Sequence, residues 1–284
     1  MDPMDLARYV AVVRERHELP GNGMVVLRRG QFHDVVLTAT TAYRFPRHEA
    51  SRTLLHRRAT VLAALAAQNL GFAVPAPLAP PNLDEPVGRC YLATTRVPGE
   101  PLAGGGARVW PDRLGAELGR VLAALAGATG QVGHLVGRPA LNRWAGFAFD
   151  VEQELFPLMS ASGRRRARHE LDQVLALPPP RTPVLVHGDL GGDNLLWDPG
   201  PPLRLAGVID WDGLFVGSPS NDVASIAATY GWTVAAQAAR STGDVEATLS
   251  QARRVQATFA LQQALPALRS GDTANLDEGL YAYR

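Results

Sequence analysis

The stretch VLVHGDLGGDNLLW, residues 184–197, decides the fold of this chain. Two short apolar runs, Val184–Val186 and Leu195–Trp197, enclose a polar loop that contains three glycines. Short apolar runs bounded by Gly, Asp and Asn are typical of β-strands joined by a tight turn, and glycine permits that turn. The loop carries Asp189 and, five residues later, Asn194. The sequence therefore predicts a rigidly framed loop that presents a carboxylate and an amide.

A second apolar run with an acidic end, GVIDWD, lies at residues 207–212. It places Asp210 at a strand tip, 21 residues after Asp189, which is far enough for the chain to turn and return. Carboxylate and amide oxygens are hard ligands of the kind that Mg²⁺ prefers. Phosphoryl transfer to a hydroxyl needs a carboxylate beside the attacking oxygen and ligands for the metal that bridges the phosphates. We therefore expect Asp189 to be the catalytic base and Asn194 and Asp210 to bind Mg²⁺.

A third acidic residue, Asp222, stands at the start of a predicted helix. We expect it either to cap that helix or to brace the catalytic loop. His187, two residues before Asp189, is expected to pack and to form hydrogen bonds, and not to act as a base. Each of these short motifs is common in ordinary turns when it occurs alone. Their order and spacing, each after an apolar strand, favour a kinase.

The composition excludes several classes of protein. A hydrophobic fraction of 46% with 19% charged residues is ordinary for a globular protein, and a net charge of +1 favours neither nucleic-acid nor membrane binding. The only cysteine, Cys90, rules out an intrachain disulfide and fits a reducing compartment. The apolar run at residues 61–67 is far shorter than the roughly 20 residues of a membrane span. Since the first residues also lack the pattern of a secretory signal, we expect a cytoplasmic protein.

The order of the predicted elements is that of a bilobal kinase. Strands are predicted at residues 24–46, 90–97 and 183–210, and helices at 2–16, 49–69, 112–127, 141–159, 163–176, 220–239, 244–270 and 274–283. We therefore predict an α+β, protein-kinase-like fold. Residues 1–97 would form a small β-rich N-lobe for the nucleotide. Residues 98–284 would form a mainly helical C-lobe with the catalytic loop, the metal site and the substrate-binding helices.

Three motifs resemble those of the aminoglycoside phosphotransferase family. VHGDLGGDNLLW, GVIDWD and GSPSNDVASIA are similar to the HGDxxxxN, IDWE/D and DPxxDLA patterns of that family. Further stretches resemble its viomycin- and capreomycin-phosphorylating members, namely GQFHDVV at 30–36, ELFPLMS at 154–160 and TFALQQAL at 258–265. The resemblance implies ATP or GTP as co-substrate, Mg²⁺ as cofactor, and a tuberactinomycin, a cationic cyclic peptide antibiotic, as acceptor. Alternatives are a kinase for an aminoglycoside, a macrolide or a small metabolite such as choline, and a regulatory pseudokinase.

The N-lobe departs from the usual kinase pattern because the chain has no lysine, so that all 28 basic residues are arginine. Kinases commonly hold the phosphates with a strand lysine paired to a helix glutamate. Arg44 takes the strand position, and arginine contacts phosphate well. Arg58 stands where the glutamate is expected. Either Glu49 replaces that glutamate or Arg58 itself contacts phosphate, unless Arg58 extends into solvent.

The remaining candidates are assigned to the two substrates. On the nucleotide side they are two possible donors above the phosphates and two positions whose backbone would meet the purine: Gln31, His33, Thr95 and Val97. On the acceptor side they are carboxylates suited to a cationic substrate: Asp212, Asp150 and Glu154. Asp150 and Glu154 are four residues apart and would share one helix face.

Overall fold

The computed structural model describes residues 3–16, 26–29, 33–102, 111–138 and 143–284. The chain packs into two compact units, which consist of Met1–Leu102 with Asn194–Asp212 and of Ala103–Asp193 with Gly213–Arg284. A segment from late in the sequence therefore completes the first unit. The lobe boundary at residue 97 stays a prediction.

The first unit contains a four-stranded antiparallel sheet in the order β1-β2-β3-β4. Its strands are β1 (Val26–Arg29), β2 (His33–Leu37), β3 (Thr41–Pro46) and β4 (Leu92–Thr95). Side chains alternate between the two faces of a strand. On β3, Tyr43 and Phe45 are buried, and the Phe45 ring lies 4.4 Å from the ring of Tyr9. Arg44, between them, therefore projects from the opposite face of the sheet.

In the described part of this unit, three helices accompany the sheet, α1 (Pro3–Arg16), α2 (Glu49–Thr53) and α3 (Leu55–Ala66). The single helix predicted at residues 49–69 is thus two helices that meet at Leu54. The Thr53 hydroxyl donates to the carbonyl of Ala50 at 3.0 Å, a local bond that competes with the helical ladder at this point. α3 buries one apolar side and carries Arg58 in its first turn.

A second, three-stranded sheet completes the first unit. β5 (Glu100–Pro101) pairs with β7 (Leu195–Trp197), which pairs with β8 (Leu205–Val208), and all pairs are antiparallel. Backbone bonds tie β8 to Ala73, whose N–H donates to the Ala206 carbonyl and whose carbonyl accepts the Val208 N–H, both at 2.9 Å. This sheet carries the two predicted metal ligands at one end.

Where the structure describes it, the second unit is mainly helical and contains one two-stranded sheet, in which β6 (Val184–Val186) pairs antiparallel with β9 (Phe215–Gly217). Its helices are α4 (Pro111–Val132), α5 (Arg143–Asp150), α6 (Ala161–Leu175), α7 (Ser220–Tyr230), α8 (Trp232–Ala239), α9 (Val245–Ala257), α10 (Phe259–Ser270) and α11 (Thr273–Leu280). Their core includes Leu155, Leu171, Leu261, Leu280 and Tyr283. Among the described residues, no helix combines the length and the apolarity needed to cross a bilayer.

Three predicted helices of this unit are shorter than expected. The helix predicted at 220–239 breaks at Gly231, whose φ of 86° cannot continue a right-handed helix. The one predicted at 244–270 breaks at Thr258, whose hydroxyl and N–H both donate to the Val255 carbonyl and so tighten the last turn. The one predicted at 141–159 gives way after Asp150 to a π turn, Val151–Leu155.

Candidate active site

The catalytic loop leaves the end of β6 and is fixed to α7 by a buried carboxylate. Asp222, in the first turn of α7, accepts the backbone N–H groups of His187 and Gly188, each at 2.9 Å. Its side chain is buried, and this burial raises the pKa of the Asp222 carboxyl. The side chain does not cap α7, whose N-cap residue, Pro219, makes no side-chain cap bond. Of the two expected roles, bracing the loop is the one that the contacts show.

The backbone of the loop depends on glycine at position 188. Gly188 has a φ of 90°, and a Cβ atom there would lie 2.6 Å from the carbonyl oxygen of Gly213. A side chain is therefore excluded both by backbone conformation and by space. The loop gains a second attachment to α7 because the Gly192 N–H donates to the Thr229 hydroxyl at 3.0 Å.

Asp189 is exposed, whereas the residues on each side of this loop segment, His187 and Leu190, are buried. The Asp189 backbone N–H donates to Nδ1 of His187 at 3.3 Å, so that Nδ1 acts as the acceptor. A buried imidazole that accepts a backbone N–H supports the loop and has no access to a substrate proton. In the structure His187 is buried and hydrogen-bonded to the loop backbone, and its role in the enzyme stays a prediction.

Asn194 and Asp210 lie at the same end of the β7–β8 pair. Asn194 comes directly before β7, Asp210 follows β8, and the Ile209 N–H donates to the Asn194 carbonyl at 3.0 Å. Asp210 is the only described non-glycine residue with a positive φ, 61°, and 53% of its side chain is exposed. Backbone conformations of this kind concentrate at functional sites. The first unit therefore brings the backbone of Asn194 next to the residue before Asp210, and the Asp210 carboxylate is exposed at this end of the strand pair.

Two arginines of the first unit converge on Asp212. Nη2 of Arg44 lies 3.0 Å from Oδ2 of Asp212, and Nε of Arg58 lies 3.0 Å from Oδ1. Only 13% of the Arg44 and Asp212 side chains and 15% of the Arg58 side chain are exposed. Arg44 also approaches Oδ1 of Asp210, at 3.5 Å. The expectation that Arg58 extends into solvent is wrong, because a buried carboxylate holds it.

His33 closes this group, which we call the arginine cluster (His33, Arg44, Arg58 and Asp212). Nε2 of His33 lies 2.9 Å from Nη1 of Arg58, and Nδ1 lies 3.4 Å from Oδ2 of Asp212. The His33 side chain is 4% exposed; its burial, aided by Arg44 and Arg58, lowers its pKa to about 3, against the opposing effect of Asp212. Because the ring is neutral, Nε2 accepts from Arg58 and Nδ1–H faces Asp212.

The arginine cluster does not include the other nucleotide-side candidates or Glu49. Gln31 lies outside the described residues. Glu49 is exposed and pairs with Arg52, with Nε of Arg52 2.8 Å from Oε1, so it does not replace the kinase glutamate. At Thr95 the backbone N–H donates to the Ala76 carbonyl at 2.8 Å and the hydroxyl accepts the Ala76 N–H at 2.9 Å. The purine contacts predicted for Thr95 and Val97 stay predictions.

The acceptor-side candidates have internal partners in the structure. In the second unit, Nη2 of Arg269 lies 2.8 Å from Oδ2 of Asp150, and its Nε lies 3.1 Å from Oε2 of Glu154. The hydrogen bond from Arg269 lowers the pKa of the Glu154 carboxyl. Asp212 belongs to the arginine cluster of the first unit. Contact of these three carboxylates with an acceptor stays a prediction.

Sequence reasoning missed the partnership of Asp212 with the two arginines. A signal for it was present, since two arginines predicted at a phosphate site require a carboxylate nearby. The motif at residues 207–212 contains one aspartate more than the predicted metal site uses.

Comparison with known proteins places this arrangement among phosphotransferases. The model of the phosphotransferase enzyme family matches residues 24–271. Viomycin phosphotransferase of Streptomyces vinaceus is 39% identical over an alignment of 278 residues, which covers 94% of this chain and 95% of that protein.

Solved structures resemble the chain over nearly its whole length. Wild-type aminoglycoside 2'-phosphotransferase-IIIa in its GDP complex gives a TM-score of 0.79 at 20% identity, covering 98% of this chain and 96% of that one. Macrolide 2'-phosphotransferase type I gives a TM-score of 0.73 at 22% identity, covering 100% and 98%. At these identities the likeness concerns the fold, and it confirms the predicted α+β, protein-kinase-like architecture.

Proposed function

The chain belongs to the phosphotransferase enzyme family, and we propose that it phosphorylates a tuberactinomycin, a cationic peptide antibiotic of the viomycin and capreomycin type. The γ-phosphate of ATP or GTP would pass to a hydroxyl of the antibiotic and inactivate it, which gives resistance. The observation that carries the choice of acceptor is the similarity to viomycin phosphotransferase along almost all of both chains. We expect the reaction in the cytoplasm, where nucleoside triphosphates are available.

We propose Asp189 as the general base. Its side chain is exposed on a loop whose backbone is fixed by Asp222 and Gly188. A general base must hold its carboxylate at a defined place beside the attacking hydroxyl, and a braced loop meets this need. In this role Asp189 orients the hydroxyl and accepts its proton as the oxygen attacks phosphorus.

We propose that Asn194 and Asp210 hold Mg²⁺. Among the described residues, no group of three or more His, Cys, Asp or Glu side chains is suited to a metal. Mg²⁺ in phosphotransferases commonly takes one or two carboxylates from the protein and completes its shell with phosphate oxygens and waters. The placement of Asn194 and Asp210 at the same end of the β7–β8 pair, with the Asp210 carboxylate exposed, supports such a site. When bound, the ion neutralises charge on the phosphates.

We assign Arg44 to the nucleotide phosphates, in place of the usual lysine. Gln31, His33, Thr95 and Val97 are further nucleotide-side positions. Asp150 and Glu154 are the proposed contacts of the cationic acceptor, which would compete with Arg269 for these carboxylates.

An assay of nucleoside diphosphate release, ADP from ATP or GDP from GTP, tests the proposal with four acceptors. Viomycin, capreomycin, kanamycin and erythromycin would each be offered with Mg·ATP and, separately, with Mg·GTP. We expect turnover with the first two antibiotics, and turnover only with kanamycin or erythromycin would refute the choice of acceptor. Asp189→Ala and Asp189→Asn should lower kcat by at least about 100-fold, the usual contribution of a general base. Near wild-type turnover in both variants would refute the assigned chemistry.

A further inference from the structure

The arginine cluster contains a carboxylate that no strand-lysine and helix-glutamate scheme provides. In that scheme the helix supplies the acid and the strand supplies the base. Here the strand residue, Arg44, and the helix residue, Arg58, are both cations. Like charges this close repel. Burial is the larger cause that lowers the pKa of the Arg58 guanidinium, and the charge of Arg44 lowers it further. A partner of opposite charge is therefore required for both side chains to remain in place.

We propose that Asp212 is the positioning residue that holds Arg44 for the nucleotide phosphates. Both of its oxygens are used, Oδ2 by Arg44 and Oδ1 by Arg58, each at 3.0 Å. The acidic residue of the cluster therefore lies in the segment after β8, and not on α3, where the usual kinase scheme has it. This proposal rests on the proposed function, since it assumes that Arg44 contacts phosphate.

A buried neighbour fixes the backbone around Asp212 and so limits the movement of its carboxylate. The neighbouring Trp211 is buried, and its indole N–H donates to the Val208 carbonyl at 3.0 Å, which fixes the turn that follows β8. Asp212 itself is largely buried, as are both arginines. A buried charged pair is weakly screened, and removing one member leaves the other uncompensated.

Arg58 and His33 support Asp212 from the other side. Arg58 donates from Nη1 to the Ser51 carbonyl at 3.1 Å and faces Nε2 of His33 at 2.9 Å, so its guanidinium is anchored at three points including Asp212. His33, held neutral, adds no further positive charge to two arginines. Arg58 therefore fixes the carboxylate of Asp212, and Asp212 in turn fixes the guanidinium of Arg44.

Relocating the carboxylate tests this order of contacts. Asp212→Asn removes the acid, and Arg58→Glu restores one on α3, where kinases usually carry it. The two double variants to compare are Arg58→Glu/Asp212→Asn and Arg58→Gln/Asp212→Asn, which differ only in whether position 58 carries a carboxylate. The readout is the Kd of Mg·ADP measured by calorimetry, because it requires neither an acceptor nor turnover.

We expect Asp212→Asn to weaken Mg·ADP binding by about 10-fold, and Arg58→Glu/Asp212→Asn to bind about 10-fold more tightly than Arg58→Gln/Asp212→Asn. Simple attraction of the anionic nucleotide predicts the opposite order for the two double variants, because the glutamine variant carries more positive charge. Equal affinities, or tighter binding by the glutamine variant, would overturn the proposal. If Asp212→Asn does not fold, the pair of double variants still decides.

Two controls separate this result from the proposed function. Glu49→Gln removes the exposed carboxylate at the start of α2, which pairs with Arg52, and should leave the Kd within about 2-fold of wild type. Asp189→Asn should lower kcat by at least about 100-fold without weakening Mg·ADP binding. An Asp189→Asn enzyme that turns over normally refutes the proposed chemistry and leaves the binding comparison at position 212 unaffected.

Discussion

The carboxylate of Asp222 accepts two backbone N–H groups of the catalytic loop, and its removal should be costly. Each bond is 2.9 Å long, and a hydrogen bond to a charged group contributes about 1.5–3 kcal/mol. Two such bonds give a gross value of about 3–6 kcal/mol, from which the desolvation of a buried carboxylate must be subtracted. We therefore expect Asp222→Ala to lower the free energy of unfolding by about 2–4 kcal/mol. Asp222→Asn keeps one acceptor oxygen and should lose about half as much.

Urea unfolding at neutral pH measures this loss, and Asp244→Ala provides a matched comparison. Asp244 also accepts a backbone N–H, that of Ala247 at 3.0 Å, but it is exposed and makes one bond, so its removal should cost about 1 kcal/mol. Because a looser loop misplaces Asp189, Asp222→Asn should also lower kcat by about 10-fold or more while the Kd of Mg·ADP changes little. A loss below about 1 kcal/mol for Asp222→Ala, or an unchanged kcat for Asp222→Asn, would refute the reasoning.

Three further changes probe the loop, the metal ligand and the arginine cluster. Gly188→Ala should lower the free energy of unfolding by about 2–3 kcal/mol, because the added Cβ meets the Gly213 carbonyl and φ is positive. The variant should also lose turnover. A melting curve measures the first effect and the ADP-release assay the second. Glycine and asparagine both suit the left-handed backbone at position 210, so Asp210→Gly and Asp210→Asn should each keep a free energy of unfolding within about 1 kcal/mol of wild type. Each should lose at least about 100-fold in kcat. A variant that folds and turns over normally excludes Asp210 as a metal ligand. His33 titrates at about 3 in the fold and near 6.5 in an unfolded chain, so the unfolded state takes up the proton first and stability falls as the pH drops below about 6.5. Between pH 7.5 and pH 5 this costs about 2 kcal/mol, which His33→Gln should not show in urea unfolding, and parallel losses in both proteins would contradict the pKa assignment.

The motif-bearing parts of the fold were predictable because their signals are local. Strands β2 and β3 lie within residues 24–46, where strands were predicted, since alternation and a turn mark them. The breaks at Leu54 and Thr258 were not expected, because neither residue is Gly or Pro; beside each break a hydroxyl donates to a nearby carbonyl. The π turn at Val151–Leu155 likewise has no breaker residue in its sequence.

The candidate site divides in the same way. The loop of Asp189 could be read from adjacent residues, and the structure adds the brace of Asp222, which lies 35 residues beyond His187. The bond between Arg44 and Asp212 spans 168 residues, so no local pattern indicates it. Charge balance alone would have pointed to it, since two buried arginines require an acid.

The exchange of lysine for arginine changes what the neighbouring acid must do. A lysine ammonium is a point charge that one carboxylate can orient from any side, whereas a guanidinium is a planar fork with five donors in fixed directions. An acid that contacts one edge of the guanidinium leaves the other N–H donors for phosphate oxygens. In the described part of the chain, Asp212 contacts Arg44 through Nη2 alone. The carboxylate must therefore approach along one direction, which a short buried aspartate on a fixed turn achieves better than a long glutamate on a helix. Since His33 is held neutral, it adds no positive charge to the cluster while the enzyme works.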